Sequence, residues 1–227
     1  MTPFFETLKQ QTQTAQQHML QAPIFQACQQ GKVSRAMYCD FLTQAFHHVK
    51  HTVPLLMACG GKLSMNDEWL RAAIGEYISE EQGHHEWILN DLTACGANAQ
   101  HVRDNRLEGR VSPEIELMVA YLYHQIDRGN PMALFGMVWV LEGTSVGVGG
   151  AMAELIQTHL GLGNDAMSYL TSHSVLDADH IQFFETLMNQ ITNPSDQQAV
   201  IDSANMVFSL YGQMLYGLTE NSRELAA

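Results

Sequence analysis

Apolar residues recur every three or four positions along nearly the whole chain, and no stretch alternates with the period of two that marks a half-buried strand. Gly and Pro punctuate the pattern and set the expected breaks. A first helix is predicted from Pro3 to about Gln21, interrupted by Ala22-Pro23. A second begins after Ser34 and carries Tyr38, Phe41, Leu42, Ala45, Phe46 and Val49 at helical spacing. Pro54 is expected to kink it and Gly60-Gly61 to end it. A third is predicted from Ser64 or Asn66 to Cys95, with Gly96 as its stop. Residues 97–111 read as a loop with a short turn. Ser112-Pro113 is a helix-start signal, with Pro at the first helical position, and that helix ends at Gly129-Asn130. Pro131 opens the next, which runs to about Leu160 through Gly143, Gly147, Gly149 and Gly150. After a turn at 161–164, a helix is expected from about Asp165 to Ile191. The last follows Asn193-Pro194-Ser195 and ends near Leu218. With no internal repeat and no linker, residues 1–227 are expected to form one all-α domain, a bundle of about seven helices.

Composition narrows the class. Of 227 residues, 46% are hydrophobic and 15% charged, a balance that buries a core and excludes a disordered chain. No uninterrupted apolar run approaches the roughly 18 residues of a spanning helix. The start, Met-Thr-Pro-Phe-Phe-Glu, shows neither a basic region nor an apolar signal stretch, so a cytoplasmic location is expected. A formal charge of −13 argues against nucleic acid and anionic membrane as partners, since both require clustered Lys and Arg. Cys28, Cys39, Cys59 and Cys95 form no Cys-x-x-Cys pair, so free thiols are expected rather than a zinc knuckle or a thioredoxin-type motif. The 11 His are a large number, and their spacing directs the search for chemistry.

The strongest local signal is His173-Ser-Val-Leu-Asp177-Ala-Asp-His180. At about 100° per residue, Asp177 lies a net 40° or so from His173, and His180 about 20° on its other side. Tyr169, Leu170, Leu176, Phe183 and Phe184 make the helix apolar enough to bury that face. Two imidazoles and a carboxylate on a buried face require partners. A metal ion supplies them, and so does a hydrogen-bonded His–Asp–His cluster. Asp179 falls elsewhere on the helix. A second signal is Glu81-Gln-Gly-His84, the Glu-x-x-His spacing of carboxylate-bridged di-metal proteins. His84 is preferred to the adjacent His85. The third is Glu142, the one acid between Pro131 and Ala153, beside glycines that permit a kink and close backbone approach. A pairing with Arg or Ser is its alternative explanation. Mixed imidazole and carboxylate donors suit iron or manganese, and Glu81, His84, Glu142, His173, Asp177 and His180 could hold two ions with open positions for O2 and substrate.

Other candidates carry less. His47 and His51 share a face, and the cluster His47, His48 and His51 is expected to face solvent or to hydrogen-bond near the site. His124 and Asp127 read as a surface pair. Leu134, Phe135, Val138 and Trp139, with some of the 13 Met, could line an apolar tunnel or pack a core.

These residues resemble the haem-oxygenase-like di-metal oxidases and oxygenases, a helical family with members that decarboxylate fatty acids to alkenes, fragment amino acids or oxygenate nitrogen. Its ligand pattern is a Glu and nearby His, a Glu on a later helix, then His-x3-Asp-x2-His. Glu81 and His84, Glu142, and His173, Asp177 and His180 match it in order, over about residues 30–190. Many members place six residues between the first Glu and its His, and the shorter spacing here is more similar to that of the alkene-forming decarboxylases. The resemblance implies a haem-oxygenase-like (TenA-like) bundle, two irons with the second weakly held and manganese as a substitute, and a homodimer. It also implies an iron-dependent oxidoreductase acting with O2 on a small carboxylate- or amine-bearing substrate. The wider superfamily includes TenA-type aminopyrimidine hydrolases, which need no metal. The region around Asp40 resembles their substrate-binding segment, but the chain shows no clear counterpart of their nucleophilic Cys. His18 is the position to compare with the axial His of haem oxygenase, and a solvent or core role fits it better. A non-catalytic ligand-binding protein of the same fold is the third possibility.

Overall fold

The computed structural model describes the backbone of residues 2–224 and the side chains of residues 2–172 and 181–218. Among these residues there are helices and no strand. They are α1 (Phe4–Leu20), α2 (Pro23–Gln29), α3 (Arg35–Val49), α4 (Thr52–Lys62), α5 (Glu68–Glu81), α6 (His84–Ala94), α7 (Ala99–Arg103), α8 (Pro113–Arg128), α9 (Leu134–Thr144), α10 (Gly150–Leu160), α11 (Ser168–Gln190) and α12 (Pro194–Glu224), with short 3₁₀ turns between several. The starts follow from local chemistry. Ser34 Oγ accepts from Met37 N at 3.1 Å, and Ser112 Oγ accepts from Ile115 N at 3.4 Å. Each satisfies a donor that the first turn leaves free.

The long α12 is the central strut. It packs against α1, α2, α3, α8 and α9. Its contact with α9 is a backbone approach through Gly136, where an added Cβ would stand 2.5 Å from Ala204 N and 2.6 Å from Val200 O. Only glycine lets two helices come that near. Trp139, almost one turn on, packs its ring against both Phe5 and Phe184, and its Nε1 donates to Thr12 Oγ1 at 3.1 Å. Leu134, Phe135 and Trp139 are therefore core, and of the four proposed tunnel residues only Val138 reaches the cavity described below. The helical run Pro131–Leu160 is long and apolar enough to cross a bilayer by length and composition, contrary to the expectation from uninterrupted apolar runs. Half of its apolar window is buried in the bundle, which is where a core helix finds partners.

The structure divides the expected helices more finely. The second one stops at Val49, and Pro54 does not kink it. Instead Pro54 sits in the first turn of α4, where a missing N–H costs nothing, and Gly60-Gly61 are absorbed before the end at Lys62. The third is two helices, broken at Gln82-Gly83, with Gly83 at φ 93°. Ser145–Gly149 widen into a π-helical turn that joins α9 to α10.

Candidate metal centre

Glu81 closes α5 and His84 opens α6, so the Glu-x-x-His pair does not ride on one continuous helix as its spacing suggests. The left-handed Gly83 turns the chain between them and still brings the two side chains together. His84 Nδ1 stands 3.2 Å from Glu81 Oε2, with the imidazole side chain 5% and the carboxylate side chain 14% exposed. Trp87 stacks on the His84 ring at 4.1 Å, which fixes its plane. His85 faces outward instead, 3.3 Å from Glu86 Oε1.

Glu81 lines a largely apolar cavity of about 160 Å³. An apolar cavity of about 150 Å³ takes a benzene-sized molecule. Glu142 reaches the same cavity from the last turn of α9, with its Oε2 closed off from solvent. Thr144, Ser145, Val148 and Gly149 of the π turn continue that wall. A π turn displaces side chains from the α-helical phase and recurs at functional sites. Tyr77 lines the same cavity. Burial pushes its phenol up, and the charges of Glu142, Glu80 and Glu81 add to the effect.

The helix that carries the third motif packs against α6, α9 and the π turn, the elements that bear His84 and Glu142. The side chains of His173, Asp177, Asp179 and His180 lie outside the described residues, and only their place in α11 is given. Among the described residues, no group of three or more His, Cys, Asp or Glu could hold an ion. Any centre here therefore takes further donors, and α11 is the neighbour whose sequence offers them.

The start of α11 is held from two other helices. Its preceding residue, Met167, supplies no cap. Asp91 of α6 does so from outside, accepting from Ser168 N at 3.0 Å, from Tyr169 N at 2.9 Å and from the Ser168 hydroxyl. A fully buried carboxylate at a helix N-terminus meets both the free N–H groups and the positive end of the dipole. Burial nonetheless raises its carboxyl above the usual range, against the lowering effect of those hydrogen bonds. Tyr38 of α3 donates its hydroxyl to Ala166 O at 2.8 Å, two residues before Ser168.

The sequence did not single out Tyr77 or Asp91, and it offered His48 only within a cluster expected to face solvent or to hydrogen-bond near the site. Tyr77 lies four positions before Glu81, Asp91 seven after His84, and His48 seven after Phe41 in the cavity wall. Each could have been found on the same helical stripe as a residue already singled out. His48 is buried edge-on to Tyr211, so it does not face solvent. His47 is also buried and bonds Gly109 O at 2.7 Å, while His51 Nδ1 lies 3.2 Å from Tyr123 OH. His18 is exposed and stacks on Tyr216. Asp127 pairs with Lys62 at 2.8 Å rather than mainly with His124. Asp40 is partly buried on α3 and does not line the cavity. The four cysteines are free thiols.

No curated protein matches the sequence. A domain of unknown function with a haem oxygenase-like fold from Shewanella denitrificans is similar with a TM-score of 0.87 and 21% identity, covering 98% of this chain and 95% of that one. A TenA homologue from Pseudomonas syringae gives 0.79 at 14% identity, over 96% and 93%. Haem oxygenase-1 of the cyanobacterium Synechocystis, in complex with haem, gives 0.76 at 13% identity, over 99% and 96%. These likenesses establish the haem oxygenase-like fold. The model of a family described as iron-containing redox enzyme matches residues 39–212, a span that contains Glu81, His84, Glu142 and the α11 motif. The chain belongs to that family of iron-containing redox enzymes.

Proposed function

We propose that the protein is a non-haem di-iron oxidase or oxygenase that acts with O2 on a small carboxylate- or amine-bearing substrate. The observation that carries this reading is the buried Glu81–His84 pair at 3.2 Å, beside a cavity that Glu142 also enters. Two donors each about 2.1 Å from one divalent ion stand about 3 Å apart, so the pair has the spacing of two ligands on one metal. Carboxylate and imidazole donors without thiolate suit iron, with manganese as the substitute. The residues present thus fit the group.

Glu81, His84 and Glu142 would hold the ions together with His173, Asp177 and His180 of α11. Bound ferrous iron supplies the electrons and open positions that O2 chemistry requires. The chain does the rest. Trp87 locks the His84 plane, Tyr77 offers a hydroxyl among the carboxylates, and apolar walls exclude water from the reacting end of a substrate. The cavity favours a substrate with an apolar body and one polar end turned toward Glu81 and Glu142. A metal-free hydrolase working through Asp40 and Glu142 would need both carboxylates at one cavity, and only Glu142 is there.

Anaerobic Fe(II) titration tests the reading. Two ions per chain are expected, the second more weakly held, and exposure to O2 should then produce a transient visible absorption. His173→Ala combined with His180→Ala should abolish tight binding. Absence of binding, or equal binding by that double variant, overturns the di-iron centre. Binding without any O2 reaction points to a non-catalytic metal- or ligand-binding protein. Aminopyrimidine hydrolysis that survives chelation points to the TenA-like activity.

A further inference from the structure

We infer that Asp91 is a positioning residue for the metal centre, fixing the start of α11, the helix that carries His173, Asp177 and His180, against α6, the helix that carries His84. The inference rests on the di-iron reading and extends it to a residue outside the ligand set.

Asp91 and His84 are seven residues apart on α6, which places them on one stripe, about 10 Å apart along the axis. Ser168 and His173 are five residues apart on α11, about 7 Å along its axis. Both candidate ligands therefore lie within two turns of a single fixed point, the Asp91 carboxylate. That carboxylate takes three hydrogen bonds from two consecutive residues of α11. Such a fork resists both sliding and rotation of the helix start, whereas one bond resists only separation. Charged acceptors of this kind are the stronger hydrogen bonds. Tyr38 O–H to Ala166 O holds the approach to the same turn, so the start of α11 is tied to α3 as well as α6. The ties from α6 and α3 at this end run to the backbone of α11 and its approach, with the Ser168 hydroxyl as a further donor. A one-residue rotation of α11 would turn its His-x3-Asp-x2-His face by about 100°. Apolar packing alone, being non-directional, tolerates such slips better than a three-point fork does.

Residues that orient metal ligands without touching the metal typically cost 10–100-fold in affinity when removed. Asp91→Ala is therefore expected to weaken anaerobic Fe(II) binding by about 10-fold or more. It should also alter the visible ligand-field spectrum of the Co(II)-loaded protein. Asp91→Asn, which retains one acceptor oxygen, should fall between Asp91→Ala and the wild type. Thr12→Val is the control. It removes the buried Trp139–Thr12 hydrogen bond near the N-terminal helix, and should lower the melting temperature without moving Fe(II) affinity or the Co(II) spectrum. A merely structural Asp91 would behave like Thr12. If the wild type binds iron and Asp91→Ala binds it equally with an unchanged Co(II) spectrum, the positioning role is overturned and the di-iron reading stands. If the wild type binds neither ion, both fall together. Should Asp91→Ala not fold, Asp91→Asn and Ser168→Ala, titrated in the same way, decide the question.

Discussion

His47 is a histidine whose pKa the fold lowers. Burial lowers its pKa from 6.5, its hydrogen bond to Gly109 O works the other way, and the nearby Lys50 and His51 lower it again. The residue is 2% exposed, with Nε2 donating to Gly109 O and Nδ1 3.1 Å from the Lys50 ammonium. A proton on Nδ1 would face that ammonium. His51 is lowered as well, first by burial and then by Lys50. Below pH 6.5 the unfolded chain takes up protons that these folded rings refuse, so their stabilisation is complete above that value and is lost as pH falls. The loss per histidine is at most about 1.4 kcal/mol per pH unit. Asp40 and Asp91, whose carboxyls are raised by burial, act in the opposite sense, with stability gained as pH falls through their folded values. His47→Gln isolates the histidine contribution. It should flatten the decline of the urea midpoint between about pH 6.5 and 5, and an unchanged slope would show that His47 already protonates in the folded chain. Periodicity identified which residues carry polar chemistry more surely than which of them are buried. It treated His47, His48 and His51 as one cluster, because the depth of a helix in the bundle is set by distant partners such as Gly109, Tyr211 and Tyr123.

The break at Gln82-Gly83 shows what happens to a motif when the element under it changes. Glu81 and His84 were placed correctly as neighbours, but by an i,i+3 argument that the structure does not use. A lone Gly in a helical pattern is usually absorbed, as Gly75 is within α5, and nothing in Glu-Gln-Gly-His-His signals that Gly83 will adopt a positive φ. The two glycines therefore respond oppositely to the same substitution. An added Cβ meets nothing within 4 Å at either position, so backbone preference alone decides. Gly83→Ala forces a left-handed conformation on an L-residue and should cost about 1–2 kcal/mol. Gly75→Ala, in a helix interior, should gain about 0.5–1 kcal/mol. Chemical denaturation of both variants checks the pair, and equal signs would mean that the α5–α6 break is not a fixed feature of the fold. The glycines after Glu142 make a related point. Their permissiveness was readable, but the π turn it allows depends on how α9 and α10 seat against α11.

For the whole molecule, the helical class, the main glycine and proline boundaries and the order of the motifs could all be read from the chain, because each depends on local phase or a local terminus. The arrangement that puts α11 beside α6, α9 and the π turn could not, since it follows from packing between segments far apart in the chain. A centre assembled across those helices has a consequence for stability. An ion that binds the folded chain and not the unfolded one stabilises by about 2.7 kcal/mol when present at a hundred times its dissociation constant. In a chain of this size 1 kcal/mol moves the melting temperature by about 2–4 °C, so anaerobic Fe(II) should raise it by about 5–10 °C. Mn(II) should raise it too, and chelation should reverse both shifts. If the second ion is weaker, the rise should continue with metal concentration after the first site is filled. Ca(II) and Mg(II) should have little effect, since hard cations prefer sites built from oxygen alone and gain little from imidazole donors. An iron effect no larger than that of Mg(II) would indicate charge neutralisation of a chain of formal charge −13 rather than a site, and the metal centre would be lost with it.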